Sequence, residues 1–530
     1  MNKKIRLYQI ALPFDHEEKA LIKKASQKAE ISEKDILSLN IVKRSLDARV
    51  HKKPDFIYCA DIEIEEGTKT KEGLEILTGE SFQEEIIYGN QQLEHRPVII
   101  GAGPGGLFAA YWLAKHGYCP FVIEQGQEIP KRKQSIEHFH STRILSPRYN
   151  YVFGEGGAGS YSDGKLNTGV TSGYIAHILN IMVECGAPPE IAYTAPPHIG
   201  SDRLRAVIIK IRNQIIEWGG EFSFENKVTN LLLKEGRIVA LDTDKGKIDA
   251  DVVILAAGSH DSDTFTMLSS CGIAMEKKPF QMGVRIEHPQ ELIDKRQYGR
   301  YSGHPSLPPA NYRLVSPDTK IYRQICSFCM CPGGEIIAGT GTPGYLCTNG
   351  MSNYKRNSGY ANSALITTFF PDDIPDRSPL GGIFYRQKIE QAAFTIAGSD
   401  YTAPAQKASD FLADRLSPLP PTSYRFQVKP ARISSFMPDM FLVALKNSFS
   451  SFEQRMPDFI SSGLILAPET RASCPVKIAR DKETMQSLSC QNLYPVGEGA
   501  GYAGGIISAA LDGIKAARII LSAFSKPYHD

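Results

Sequence analysis

The chain of 530 residues carries 60 Lys and Arg against 58 Asp and Glu, a formal charge of +2, so no whole-molecule field favours nucleic acid or an anionic membrane. With 42% hydrophobic and 22% charged residues it has the composition of a folded protein, long enough for roughly three to four domain equivalents. Ten cysteines are too few and too scattered for a disulfide framework. No signal-peptide core follows Lys3, Lys4 and Arg6, and no run approaches the ~18 apolar residues of a membrane span, so a cytoplasmic protein is expected.

Residues 1–94 read as a separate α+β unit. Residues 5–12 are strand-like; residues 17–30 place Ala20, Leu21, Ala25 and Ala29 at helical spacing; residues 36–50 and 56–64 alternate as two strands. Lys43, Arg44, Arg49, Lys52 and Lys53 face Asp47 alone, with His51, Phe56 and Tyr58 nearby, a combination that could stack RNA. Residues 1–96 nevertheless hold 16 Lys and Arg against 18 Asp and Glu, which gives no broad phosphate footprint and argues against nucleic acid.

From Arg96 onward, short β-branched strands end in glycine and precede helices, the alternation of a βαβ nucleotide-binding unit. The strand from Pro97 to Ile100 runs into Gly101-Ala102-Gly103-Pro104-Gly105-Gly106 and then a helix. In this G-x-G-x-x-G pattern Gly101 allows the tight turn, Gly103 lets backbone approach a pyrophosphate, and Gly106 lets helix pack on strand. A second strand ends in Glu124, 23 residues after Gly101, where an acid accepts from a ribose hydroxyl. An adenine dinucleotide site follows, either NAD or FAD. Further along, Gly504 and Gly505 leave bare the N-terminus of a helix that begins at Ile506, which suits the anionic edge of a reduced flavin.

These segments resemble the FAD-binding proteins of the glutathione-reductase type. Arg132, eight residues after Glu124, matches the segment that follows the ribose-binding acid; Gly258, closing Asp251-Val-Val-Ile-Leu-Ala-Ala-Gly258, matches a later strand-to-glycine crossing. The segment from Asn492 to Ser508, with Gly497, Glu498, Gly505 and Ile506, matches the closing flavin motif, with Glu498 in place of the commoner Asp. The segments from Phe153 to Leu166, Gly283 to Pro289, Ser327 to Gly334 and Thr348 to Ser352 are similar to a bacterial family of FAD-dependent dehydrogenases, mostly of unassigned substrate. The resemblance implies FAD as cofactor.

Outside the dinucleotide unit, candidates for chemistry are few. The glycine-rich loop from Gly154 to Gly164, with Gly157 at its centre, can lie against a flat ligand and is followed by Lys165. Arg285, Glu287 and His288 form a compact trio of cation, acid and base, with His288 as a proton donor or acceptor. Cys326, Cys329 and Cys331 lack the second ligand pair of a zinc site, so no metal is expected; a flavin-coupled thiol among them, or Cys474, is left open. Gly339-Thr-Gly341-Thr-Pro-Gly344 spells a second G-x-G-x-x-G, but neither a helix nor a strand-end acid follows it.

The expected fold is α/β: a discontinuous Rossmann-like FAD-binding domain (residues 95–275, closing with 461–530), an inserted α+β substrate domain (276–460) and the N-terminal α+β domain (1–94). The expected function is FAD-dependent hydride transfer at flavin N5 to or from a small organic substrate, with Lys165, Arg285 and His288 as catalytic candidates. Without a second dinucleotide domain, hydride comes from that substrate or from NAD(P)H as a transient reductant. Two alternatives are an RNA-modifying flavoenzyme docking RNA on its N-terminal domain, and a non-catalytic scaffold stabilised by FAD.

Overall fold

Three-residue β-branched runs flanked by glycine build the central layer of the protein. In the computed structural model, which describes residues 2–49, 52–77, 86–319 and 322–526, five three-residue strands form one parallel sheet, the β-branched ones at its centre. Its order is Leu493–Pro495, Val253–Leu255, Val98–Ile100, Phe121–Ile123 and Glu221–Ser223. The three central strands read Val-Ile-Leu, Val-Ile-Ile and Phe-Val-Ile because both sheet faces are covered, leaving no position for alternation.

Helices Pro104–Lys115 and Ile506–Ala523 cross on one face of this sheet. Positions 105–114 of the first are all buried, so its sequence is apolar all round rather than striped. Leu107, Phe108, Trp112 and Leu113 each contribute roughly 1.5–3 kcal/mol by leaving water. The two helices approach closely because Gly513 faces Gly105: a β-carbon at Gly513 would lie 2.0 Å from the Gly105 carbonyl oxygen.

A six-stranded sheet forms the second layer, in the order Cys326–Cys331, Tyr360–Phe369, Phe280–Pro289, Leu464–Glu469, Ala403–Lys407 and Val428–Pro430. All its pairs are antiparallel except the last. Helix Asp439–Arg455 covers it with Phe441, Phe449 and Phe452, all fully buried. Leu464–Glu469 falls in the segment read from sequence as the closing part, yet it pairs with Phe280–Pro289 and Ala403–Lys407. A fully buried apolar strand carries no mark of the sheet it joins. The chain re-enters the parallel sheet only at Leu493–Pro495. The second G-x-G-x-x-G closes a hairpin, since Glu335–Ala338 pairs antiparallel with Thr348–Met351.

The N-terminal sheet runs Glu75–Ile76, Asn2–Pro13, Asp55–Glu65, Ile36–Asp47 and Thr194–Ala195, with helix Ala20–Ala29 burying Leu21, Ala25 and Ala29 against it. Its fifth strand comes from far along the chain: Thr194–Ala195 pairs parallel with Arg44 and Ser45. Arg44 serves this junction, its guanidinium 5.3 Å from the Phe56 ring and 5.4 Å from that of Tyr193, with Nη2 donating to Thr194 Oγ1 at 3.1 Å. Arg49 pairs with Asp47 and Lys53 with Asp15, so three of the five clustered cations are engaged within the protein. His51 lies outside the described residues.

Candidate functional site

A cavity of about 820 Å³ opens between the parallel sheet and the six-stranded sheet. Its dinucleotide wall begins at the turn after Val98–Ile100. Gly101 sits at φ +103, and a β-carbon there would stand 2.4 Å from the Ala256 carbonyl oxygen, so only glycine fits. Gly106 is excluded from substitution differently: its β-carbon would lie 1.9 Å from the Gly101 oxygen, and the residue packs helix on strand without lining the cavity. Gly103 does line it, with nothing within 4 Å of an added β-carbon. The helix that starts at Pro104 has no side-chain cap and no acid in its first turn, which leaves its N–H groups and positive dipole end free for a phosphate.

Glu124 lines the cavity at the end of its strand. Its Oε1 accepts from Gly126 N and Gly154 N, and its Oε2 from Ala102 N, each at 2.9 Å. One donor on Oε2 leaves a lone pair for a ribose hydroxyl. Arg132 departs from the sequence reading of a cofactor contact. It is fully buried and outside the lining, because its fork reaches inward to the glycine loop: Nε donates to Asn150 O, and Nη1 to Glu155 O, Gly157 O and Ser160 Oγ, at 2.8–2.9 Å. Arg132 therefore positions Gly157, which lines the cavity at φ +60 against Gly103.

The wall continues through Gly258, Gly497 and Glu498, and ends at Gly505 and Ile506. Glu498 accepts from Ser259 Oγ at 2.6 Å, and burial raises its carboxyl above the ordinary range. Gly505 caps helix Ile506–Ala523 with no acid in the first turn and nothing within 4 Å of an added β-carbon.

At the far end stand side chains that the sequence did not bring together. Lys165 Nζ lies 2.8 Å from Asp163 Oδ2, 3.8 Å from Cys329 Sγ and 3.9 Å from Cys331 Sγ. Asp163 is also the partner of Ser352, His198 and Arg356. Burial alone would raise its carboxyl, but Lys165, His198 and Arg356 hold it well below the usual carboxylate range. Burial likewise works against the Lys165 ammonium, and the two sulfurs with Asp163 outweigh it, so Lys165 stays charged. Adjacent spacing in Ser-Asp-Gly-Lys was the only sequence signal for this pair.

In the Arg285, Glu287 and His288 trio, strand alternation turns His288 away, and Arg285 and Glu287, on one face, take different partners. Arg285 is fully buried behind the wall, bound to Glu469 (Nε–Oε2 2.5 Å, Nη2–Oε1 2.8 Å) and to Asn362 Oδ1 at 2.7 Å. Glu469 lines the cavity and Arg285 does not. Glu287 binds Ser423 instead of Arg285. His288 points to the opposite face, packed 4.5 Å from the Phe459 ring with Nε2 against Phe459 O, and burial lowers it to about 4. Neither His288 nor Arg285 reaches the cavity, so the sequence expectation of catalytic contact is corrected for both.

All ten cysteines are free, and the described residues hold no group of three or more His, Cys, Asp or Glu that could bind a metal. Cys474 is buried against Gly499 O with its thiol pushed up to about 11 by burial. The open faces of Gly103, Gly258, Gly504 and Gly505, the two uncapped helix ends and the lone pair on Glu124 together fit an extended dinucleotide carrying a flavin.

Comparison with known proteins agrees with this cradle. Residues 279–472 match a family described as FAD-dependent protein, C-terminal domain-like; residues 99–151 match an NAD(P)-binding Rossmann-like domain and residues 4–63 a domain of unknown function. An uncharacterized protein of Clostridium beijerinckii is 38% identical over 537 residues, covering 99% of either chain. Solved structures give weaker similarity. L-proline dehydrogenase from P. horikoshii is 13% identical over 82% of this chain and 94% of that one, with TM-score 0.34. Glycine oxidase from Bacillus cereus is 11% identical over 81% and 95%, with TM-score 0.31. The chain belongs to the family it shares with the clostridial protein, and it carries the C-terminal domain of FAD-dependent proteins.

Proposed function

We propose that the protein transfers hydride between flavin N5 and a small organic substrate held at the Lys165 end of the cavity. The observation that supports this reading is a single cavity with two walls: the glycine turns and Glu124 on one side, and Cys329, Asn349 and Glu469 of the six-stranded unit on the other. FAD supplies the two-electron chemistry when bound. The N–H groups after Gly103 hold the pyrophosphate, Glu124 Oε2 a ribose hydroxyl, and Gly258, Gly497 and Glu498 the middle of the cofactor. Gly505 and Ile506 present a helix N-terminus to the flavin's anionic edge.

Lys165 is the residue placed for chemistry. Its ammonium, kept charged by Asp163, places a fixed positive charge where negative charge develops. Arg285 acts at one remove, orienting Glu469 in the wall through two hydrogen bonds. With the second glycine motif in a hairpin, the electron source is the organic substrate itself or a nicotinamide visiting transiently. Lys165→Met tests the assignment: FAD content stays at the wild-type level while substrate-driven flavin reduction slows about a hundredfold. An unchanged reduction rate removes Lys165 from the mechanism.

A further inference from the structure

Two cysteines meet at one ammonium in the cavity wall. Cys329 lines the cavity; Cys331, two residues on, is fully buried behind it. Both sulfurs contact the same ammonium, Lys165 Nζ, at 3.8 and 3.9 Å, and Cys331 Sγ lies 3.3 Å from Cys329 O.

The backbone is shaped to bring them together. In a straight strand, residues i and i+2 are about 6.7 Å apart, at the upper limit of the ~4.4–6.8 Å that a disulfide spans. Strand Cys326–Cys331 is not straight: its register on Tyr360–Phe369 shifts between Phe328 and Cys331, and Cys329 takes φ +45, a left-handed value that a side chain rarely adopts. Gly350 makes room behind them, since a β-carbon there would lie 2.9 Å from Cys331 Sγ and 2.3 Å from Arg285 Nη1.

We infer that Cys329 and Cys331 are a redox-modification site, in which Cys329 reacts with a small hydroperoxide and Cys331 closes a disulfide onto it. Cys329 is part-exposed on the cavity. The Cys329 thiolate attacks the peroxide, the O–O bond breaks, and with one proton taken up the products are Cys329 sulfenic acid and water. Cys331 then gives up its proton, its sulfur attacks the Cys329 sulfur, and hydroxide leaves as a second water. Two thiols and one peroxide yield one disulfide and two waters.

The charges facing Cys329 are Lys165 and Arg285 as cations, and Asp163 and Glu469 as anions, with the Cys331 thiol as hydrogen-bond donor. Cys331 and the two cations outweigh burial and hold Cys329 below an ordinary thiol, while the same pairing pushes Cys331 up. Cys326, in the same strand and also on the cavity, is raised by burial and serves as the internal control.

The test uses the full-length FAD-loaded protein treated with hydrogen peroxide, then alkylated and mapped by mass spectrometry without reduction. A Cys329–Cys331 disulfide is expected as the first product, lowering the intact mass by two hydrogens. In Cys331→Ser, dimedone is expected to trap a sulfenic acid on Cys329; in Cys329→Ser, neither product forms. Iodoacetamide at pH 6 should label Cys329 at least tenfold faster than Cys326, and Lys165→Met should remove most of that advantage. The inference is overturned if Cys326 or another thiol oxidises first, or if Cys329 reacts at the rate of Cys326. These readouts are thiol masses, so the result stands apart from the identity of the substrate.

Discussion

Lys165 Nζ sits 2.8 Å from Asp163 Oδ2, and the aspartate, only 1% exposed, is shared with Arg356 and His198. One buried anion thus organises three basic side chains at the Lys165 end of the cavity. Asp163→Asn leaves Lys165 and Arg356 without a counter-charge and is expected to cost about 3 kcal/mol, seen as a lower denaturation midpoint. Because those bases hold the Asp163 carboxyl below its ordinary 3.8, its contribution is complete above that pH and fades as pH falls toward the lower folded value. The midpoint gap between wild type and D163N should accordingly be full at pH 7 and narrow below pH 3.8.

His288 gives the opposite sign. Its folded value of about 4 lies below the ordinary 6.5, so the unfolded chain binds a proton that the folded one refuses. Wild-type stability is therefore expected to fall between pH 6.5 and pH 4 by about 3 kcal/mol from this group. His288→Gln should flatten that decline, and flavin reduction by substrate should proceed at the wild-type rate at pH 7. A large loss of reduction rate in H288Q with the fold intact would return His288 to the mechanism.

Two glycines of the same turn separate folding from binding. Gly106→Ala puts a β-carbon 1.9 Å from a backbone oxygen and should prevent the helix from seating, giving insoluble or unfolded protein. Gly103→Ala meets no protein atom within 4 Å. It should leave the apoprotein's circular dichroism and melting unchanged while weakening FAD binding tenfold or more, measured by equilibrium titration.

Arg132 lies outside the cavity lining yet carries the glycine loop. Arg132→Met strips donors from Asn150 O and Glu155 O, each worth about 1–3 kcal/mol when left buried and unpaired. Lower stability and at least tenfold weaker FAD retention are expected together. Arg132→Lys should restore little, because one ammonium cannot span the same fork.

The dinucleotide wall was legible in the sequence because its requirements are local. Gly101, Gly103, Gly106 and Glu124 lie within one strand-turn-helix-strand unit, and each is demanded by backbone geometry or a single hydrogen bond. The Lys165 end was not, since Lys165 meets Cys329 and Cys331 only through the approach of segments far apart in the chain. Proximity along the chain misled at His288: one step along a strand reverses the face, sending it into the Phe459 core while Arg285 turns to Glu469. The junction at Thr194–Ala195 is two residues long, too short for any periodicity to announce it.

The central claim is that the cavity holds a working flavin. The direct measurement is anaerobic: purified protein, loaded with FAD, is mixed with a fractionated metabolite extract and, separately, with NADH and NADPH, while the flavin absorption band is followed. The account predicts that the protein binds FAD and that a small organic compound bleaches the band. Failure to bind FAD, or a bound flavin that no fraction and neither nicotinamide can reduce, would contradict it.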